Sequence, residues 1–174
     1  MYNAKERWLS MEIKTGYLYF LKKQFYEKVN DPNIMGNKKN TSRPTYLTFK
    51  EDEILWFIPL SKQIEKYEKQ ILYKEKKYKK PCDNILIRKI AGEKSAILIQ
   101  NAFPTLEKYV DSVYTKKGEP LKIAEALKDE VLTKFKKTRK LKLRGIETMF
   151  VNIVKLEKMM RDELLEDHDL NNKN

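Results

Sequence analysis

Residues 43–62 read Arg-Pro-Thr-Tyr-Leu-Thr-Phe-Lys-Glu-Asp-Glu-Ile-Leu-Trp-Phe-Ile-Pro-Leu-Ser-Lys. Two runs rich in apolar and aromatic residues, 46–49 and 54–58, flank the charged turn 50–53, and this pattern predicts a β-hairpin. The two antiparallel strands of a hairpin begin and end at the same edge of the sheet. We therefore expect Arg43 to lie beside Ser61 and Lys62, forming the floor of a polar site.

The remaining pattern predicts an α+β protein in which about five or six strands, arranged in hairpins, form a small closed or half-closed β-barrel with appended helices. Thr15 is expected to cap a first helix that carries Tyr17, and Ser61 to cap a helix through Ile71. The other predicted elements are a strand at 8–14, a loop at 29–42, a second hairpin at 85–103, and helices at 106–114, from Pro120 onward and at 146–165.

Length and composition indicate a single domain of residues 1–174, with a core over 10–165 and an acidic tail over 166–174. Lysine and arginine number 37 and acidic residues 25, which gives a net charge of +12. A charge of that sign favours a polyanionic partner, either nucleic acid or an anionic membrane surface. One cysteine excludes an intrachain disulfide, and no apolar run is long enough to span a bilayer, so we expect a cytoplasmic protein.

Positive charge is concentrated in two runs. Residues 62–80 contain eight lysines and three glutamates, a net +5, with Tyr67, Tyr73 and Tyr78 interleaved among them. Between Lys134 and Arg144 there are seven basic residues and no acidic one. A helix with charges of one sign is expected to need an external anion, which indicates a nucleic-acid surface.

Several kinds of catalytic site are excluded by the residues present. The single histidine, His168, rules out a Ser-His-Asp triad, a two-histidine ribonuclease site and a histidine metal site. The five glycines form no phosphate-binding loop. The carboxylates form no cluster suited to magnesium, so we expect neither a metal nor a cofactor.

A cationic, hydroxyl-bearing site remains, and it suits attack of an RNA 2′-hydroxyl on its own phosphodiester. Arg43 and Lys62 are suited to binding phosphate oxygens. A lysine among other cations has a lowered pKa and could act as a base, while Tyr17 or Ser61 could donate hydrogen bonds or relay a proton.

The order of these segments resembles the toxins of type III toxin–antitoxin systems, the ToxN/AbiQ/TenpN/CptN endoribonucleases, and most closely the CptN branch. The resemblance covers roughly residues 10–165 and rests on the Arg-Pro-aromatic strand entry at 43–46, the string Pro59-Leu60-Ser61-Lys62 and the amphipathic helices that follow. It implies a barrel related to the MazF/PemK toxins and a metal-independent, sequence-selective endoribonuclease. It also implies inhibition by an RNA antitoxin of repeated pseudoknots, in a toxin–RNA hetero-oligomer.

Carried onto this sequence, the resemblance implies four catalytic residues: Tyr17, Arg43, Ser61 and Lys62. Where relatives have Thr-Ser-Pro-Lys, this chain has Ser-Lys-Gln, so the lysine on the scissile phosphate is Lys62 or Lys66. The predicted RNA contacts are Lys28, Lys38, Lys39, Thr45, Tyr46, Lys66, Lys69, Lys134, Lys136, Lys137, Arg139, Lys140, Lys142 and Arg144.

Two other functions fit the composition. A non-catalytic RNA-binding protein would use the same basic surfaces without cleaving its ligand. A basic amphipathic protein at an anionic membrane surface would bind vesicles without apolar insertion.

Overall fold

A computed structural model describes residues 12–34, 36 and 45–172 of the chain. Within these residues the hairpin of 43–62 is the centre of the fold. Strand β2 (Tyr46–Glu51) pairs antiparallel with β3 (Ile54–Ser61), from Glu51 opposite Ile54 to Tyr46 opposite Pro59. Asp52, in the two-residue turn, has φ +55°, a conformation that aspartate tolerates better than most residues. The predicted hairpin is confirmed.

The described chain forms one seven-stranded antiparallel sheet and a separate two-stranded hairpin. Besides β2 and β3, the strands are β1 (Leu18–Leu21), β4 (Leu86–Ile90), β5 (Glu93–Ile97), β6 (Phe103–Thr105), β7 (Val110–Val113), β8 (Thr115–Lys116) and β9 (Glu119–Pro120). The sheet has the order β4-β5-β3-β2-β1-β7, and β6 also pairs with β3. Strand β3 therefore has β2 on one edge, while its other edge is shared between β6 at Leu55–Phe57 and β5 at Leu60 and Ser61.

Both faces of the central strands are buried, which explains why Ile54 to Ile58 form an unbroken apolar run. On one face, helix α1 (Lys23–Val29) places Phe25 against Phe103, with ring centroids 5.3 Å apart. On the other, helix α3 (Glu125–Leu143) places Phe135 5.1 Å from the Trp56 ring. The hairpin is thus fixed between two helices.

Two further helices complete the described fold. Helix α2 (Ile64–Tyr78) follows β3 directly and buries Tyr67 in a small cluster with Ile85, Ala96 and Leu98. Helix α4 (Ile153–Asn171) buries Leu156 and Met160 in the main core. Residues 166–171 of the predicted acidic tail are the last turns of α4. Among the described residues, no helix has the length and apolar character needed to cross a membrane.

The predicted helix from Thr15 through Phe25 is wrong. Leu18–Leu21 is strand β1, and the helix of this region begins at Lys23. Gly16, at φ +87°, turns the chain into the strand, and Tyr17 forms an isolated bridge with Lys122. Leu18, Leu21 and Phe25 are spaced by three and four, but Tyr19 between them is also buried. The predicted first strand at 8–14 falls mostly outside the described residues, and its described part, 12–14, is not in a strand.

Three later helix predictions were also wrong: one predicted helix is not a helix, and the other two begin later than predicted. Residues 106–114 contain a 3₁₀ turn (Glu107–Tyr109) and β7 instead of a helix. Pro120, the predicted start of the next helix, belongs to β9, and that helix begins at Glu125. The last begins at Ile153, after an irregular segment that follows Gly145 at φ +85°.

The predicted α+β class is confirmed. A barrel is not confirmed, because the strand pairing within the described residues leaves the sheet open, ending at β4 and β7.

Candidate active site at the end of the hairpin

Ser61 is the last residue of β3, three positions before α2 begins. Its Oγ accepts a hydrogen bond from the backbone N–H of Gln63 at 3.2 Å, while Gln63 occupies the N-cap position of α2. The prediction that Ser61 itself caps the helix is therefore wrong by two residues. The side chain remains at the helix N-terminus, where unpaired N–H groups favour anions.

Tyr67, one turn into α2, supports this arrangement. Burial raises the pKa of the Tyr67 hydroxyl, and a hydrogen bond with Ser61 acts in the opposite direction. Ser61 thus lies between the backbone N–H of Gln63, which donates to it at 3.2 Å, and the buried Tyr67 side chain.

Lys62 lies beside Ser61 and faces β5. Its Nζ donates to Oε2 of Glu93 at 2.9 Å and to Oγ of Ser95 at 3.2 Å. The hydrogen bond from Lys62 holds the pKa of Glu93 below its usual value. Both side chains of the ion pair are 65% exposed. Such a pair contributes little to stability, so a phosphate can displace Glu93 at modest cost.

Tyr26 is a residue that sequence reasoning missed. It lies on α1, and its hydroxyl is 2.7 Å from the hydroxyl of Tyr46. Tyr46 is directly opposite Pro59, and side chains alternate along a strand, so Tyr46 and Ser61 project from the same face of the hairpin. Their Cα atoms are separated by roughly 8 Å, from one strand spacing and two residues of rise. The Tyr26–Tyr46 hydroxyl pair thus lies on the face of the hairpin from which Ser61 projects.

Tyr17, by contrast, is not brought to this place. Its carbonyl accepts from the N–H of Thr48, a residue paired with Phe57. Ser61 lies four residues further along β3 and two strands away, a Cα separation of roughly 16 Å. The resemblance places a catalytic tyrosine on the first helix, and the first helix that the structure describes carries Tyr26 instead. The sequence Phe25-Tyr26 could have indicated this tyrosine, but the helix was predicted to start after Thr15, which assigned Tyr17 to its first turn.

Three predicted residues at the hairpin entry lie outside the described residues: Lys38, Lys39 and Arg43. Thr45, the first described residue after them, accepts a hydrogen bond from the N–H of Leu60 through its carbonyl at 3.1 Å. The hairpin pairing thus extends to Thr45, which is half-buried.

Two predicted RNA contacts have structural roles. Tyr46 is fully buried and packs against Phe57 and Phe103, so its ring cannot stack on a base. The Nζ of Lys28 lies 2.6 Å from Oε2 of Glu163, which ties α1 to α4. Glu163 is only 9% exposed. The structure thus gives both side chains a role within the fold, and their contact with RNA stays a prediction.

The basic run 134–144 does not lack acidic partners. Distant segments supply them: Asp83 pairs with Lys134 and Lys137, Glu51 pairs with Arg139, and Glu147 pairs with Lys142. The expectation that this helix needs an external anion is therefore wrong for four of its seven basic residues. Within the described part of the chain, Lys136, Lys140 and Arg144 make no ion pair and remain the cations available there.

The hairpin end combines a hydroxyl, an ammonium group and a helix N-terminus, with a tyrosine hydroxyl pair on the same face. These groups can bind a phosphate and donate to its oxygens. Lys66, the alternative to Lys62, is exposed and places its Nζ 5.3 Å from the centroid of the Tyr67 ring. The described residues contain no cluster of three His, Cys, Asp or Glu side chains that could hold a metal ion.

Comparison of the sequence with models of known protein families finds no match, and comparison with curated proteins likewise finds none.

Proposed function

We propose that this protein is a metal-independent endoribonuclease toxin of a type III toxin–antitoxin system. The observation that carries the proposal is the position of Ser61 and Lys62 at the N-terminus of α2, with the Tyr26–Tyr46 hydroxyl pair on the same face of the hairpin as Ser61. In this reaction the substrate provides its own nucleophile, so phosphate-binding and hydrogen-bonding groups are what the protein must supply.

In the proposed reaction the 2′-oxygen forms a bond to phosphorus while the bond from phosphorus to the 5′-oxygen breaks. The 2′-hydroxyl loses a proton and the leaving 5′-oxygen gains one, giving a 2′,3′-cyclic phosphate and a free 5′-hydroxyl. Lys62, released from Glu93, binds a non-bridging oxygen together with Arg43. Ser61 and Tyr26 hydrogen-bond to the reacting group, with Tyr46 orienting the Tyr26 hydroxyl.

The proposal includes a cytoplasmic location, a cellular RNA substrate and an antitoxin RNA of pseudoknot repeats in a toxin–RNA hetero-oligomer. Charge supports this choice of partner, since the chain carries +12. The cations Lys136 and Lys140 on α3 and Arg144 at its C-cap, which have no ion pair in the described chain, are the proposed antitoxin contacts there. A relation to the MazF/PemK barrel also belongs to this proposal.

The test is incubation of the purified protein with cellular RNA in excess EDTA. We expect cleavage at a short preferred sequence and fragments ending in 2′,3′-cyclic phosphate, and we expect Lys62→Ala to abolish both. Fragments with 3′-hydroxyl ends, or activity that EDTA removes, would contradict the proposed chemistry.

A non-catalytic RNA-binding protein is the second candidate, and one observation favours it: Lys62 is engaged by Glu93 and Ser95. The same assay separates the two functions. Tight RNA binding with intact RNA recovered after long incubation would establish the second candidate.

A further inference from the structure

Helix α2 separates its charges between two sides. At 100° per residue, Glu65, Glu68 and Glu75 lie on one side, together with Leu72. Two of these glutamates contact neighbouring segments: Glu68 pairs with Lys94, and Glu75 accepts from the backbone N–H of Cys82. The other side carries Lys66, Lys69, Tyr73 and Lys77 and no acidic residue.

The lysines of this second side have no carboxylate partner within the described chain. The Nζ of Lys77 instead lies 5.7 Å from the centroid of the Tyr73 ring. The Tyr73 side chain is 64% exposed. An exposed aromatic ring flanked by ammonium groups without a carboxylate favours a ligand with both flat rings and negative charge.

A second exposed ring, Phe150, lies beside Lys74, the residue that follows Tyr73 on α2. Its neighbours Met149 and Val151 are fully buried, which fixes the backbone and directs the Phe150 side chain outward. The N–H of Phe150 donates to the carbonyl of Gln100 at 2.8 Å, and its carbonyl accepts from Asn33. The ring is nevertheless 54% exposed, so it is a large apolar group on a rigid support.

Lys74 connects α2 to Phe150. Its Nζ donates to Oδ1 of Asn84 and Oε1 of Gln100 and lies 5.7 Å from the centroid of the Phe150 ring. Burial lowers the pKa of this lysine, and no carboxylate among the described residues compensates its charge. A cation held by amide oxygens next to an exposed ring is suited to an anionic group attached to an aromatic one.

We propose that Tyr73 and Phe150, with Lys66, Lys69, Lys74 and Lys77, form a binding track for single-stranded RNA. Unpaired bases stack on the two rings, and the lysines contact the phosphates between them. The inference rests on the proposed function for the choice of RNA as the polyanion. It adds a requirement for unpaired bases, since a duplex buries the base faces that the rings need.

The experiment uses the full-length protein and a fluorescent single-stranded RNA of about twelve nucleotides, within the range of site sizes of single-strand binders. Its riboses are 2′-O-methylated, so that cleavage through the 2′-oxygen cannot occur and binding is measured alone. Fluorescence anisotropy gives the affinity over a series of salt concentrations. A protein that binds this RNA by the track but leaves ordinary RNA intact would refute the proposed cleavage and support the track.

Phe150→Ala and Tyr73→Ala are each expected to weaken binding at least about fivefold, because each variant removes the platform for one stacked base. Val154→Ala and Leu72→Ala are the controls, because these side chains are 59% and 66% exposed but lie off the track. Equal weakening in variants and controls, or unchanged affinity in both ring variants, would overturn the proposal.

Charge is tested by a matched pair of double variants. Lys69→Gln with Lys77→Gln is expected to lower the slope of log affinity against log salt by about 0.7 for each phosphate that the variant no longer neutralises. Lys89→Gln with Lys155→Gln removes two exposed lysines that have no ion pair in the described chain, and it should leave the slope unchanged. An RNA duplex of the same length is expected to bind more weakly. A duplex that binds as tightly as the single strand, with no effect of Phe150→Ala, would refute stacking.

Discussion

The Nζ of Lys62 lies 2.9 Å from Oε2 of Glu93, across the gap between the end of β3 and the start of β5. Lys116 is also near the same carboxylate, at 3.8 Å. Glu93 therefore occupies the position on Lys62 that a phosphate would take.

Replacing Glu93 with Gln should release Lys62 for RNA. We expect Glu93→Gln to tighten RNA binding by about two- to fivefold, in the range of an exposed ion pair. Glu119→Gln is the control, since it changes net charge equally and Glu119 has no ion pair in the described chain. Equal tightening in both variants would mean that net charge, and not the release of Lys62, is responsible.

The two candidate lysines can be separated by single substitutions. We expect Lys62→Ala to lower the cleavage rate at least about 100-fold, the effect of removing one donor to the transition state. Lys66→Ala should lower the rate less than about tenfold, because Lys66 faces the RNA track on α2. A larger decrease in Lys66→Ala would transfer the catalytic role to that residue.

The catalytic roles of Tyr26 and Tyr17 can also be separated by single substitutions. Tyr26→Phe should lower cleavage at least about tenfold, because it removes a proposed catalytic hydroxyl from the face of the hairpin that carries Ser61. Tyr17→Phe should change the rate less than about threefold, since Tyr17 lies far from Ser61 along the sheet. Circular dichroism melting curves of both variants check that neither substitution unfolds the protein. A large effect of Tyr17→Phe alone would support the catalytic role that the resemblance implies for Tyr17.

Six of the seven basic residues between Lys134 and Arg144 form two sets of equal charge, three without an ion pair in the described chain and three with one. Replacing Lys136, Lys140 and Arg144 with Gln should weaken antitoxin binding and lower its salt slope by about 0.7–0.9 for each phosphate that is no longer neutralised. Replacing Lys134, Lys137 and Lys142 should instead lower stability, because Asp83 would stay partly buried without the two lysines that favour its charged form. Salt titrations of RNA binding and urea unfolding measure the two effects. If the first set changed stability and the second set changed the salt slope, the division into RNA-binding and structural basic residues would be contradicted.

Glu163 makes stability depend on acid pH. Burial alone would raise the pKa of Glu163, but hydrogen bonds from Lys108, Lys28 and Tyr109 outweigh it and lower the pKa to about 2. The folded pKa is below the unfolded value of 4.5, so the carboxylate stabilises the protein above pH 4.5 and that effect disappears as the pH falls toward 2.

We therefore expect Glu163→Gln to lower the free energy of unfolding by about 2–3 kcal/mol at pH 7, and by much less near pH 2. Asp162→Asn is the control, because Asp162 pairs with Lys158 on the surface of α4 and is 52% exposed. Urea unfolding at several pH values provides the measurement. A difference between wild type and Glu163→Gln that stays constant with pH would contradict the assigned cause.

The hairpin could be predicted because its information is local: two apolar runs, a charged turn and strands that meet end to end. The region 15–25 could not, because Leu18, Leu21 and Phe25 fit a helical period while Tyr19 is equally buried in the strand. Pro104 is typical of a helix start, yet it lies in β6, a strand that pairs only with β3 in the described sheet and so tolerates a residue without an N–H.

Part of the site could be predicted because it, too, depends on local sequence. Ser61 and Lys62 follow from the hairpin, whereas their partners come from far along the chain. Glu51 and Arg139 are 88 residues apart and Lys28 and Glu163 are 135 apart, so nothing in the sequence indicated that these cations were neutralised.

One edge of β3 is shared between β6 and β5, and this arrangement also determines the order in which the strands can pair. Strands β2 and β3 are joined by a two-residue turn, so their pairing is local and fast, whereas β5 begins about thirty residues later and must close a long loop. During synthesis, Ser61 and Lys62 therefore leave the ribosome well before Glu93 and Ser95 do. We expect the nascent chain to carry a Lys62 without these partners until β5 is made, so the carboxylate that restrains the proposed catalytic lysine arrives only with that strand.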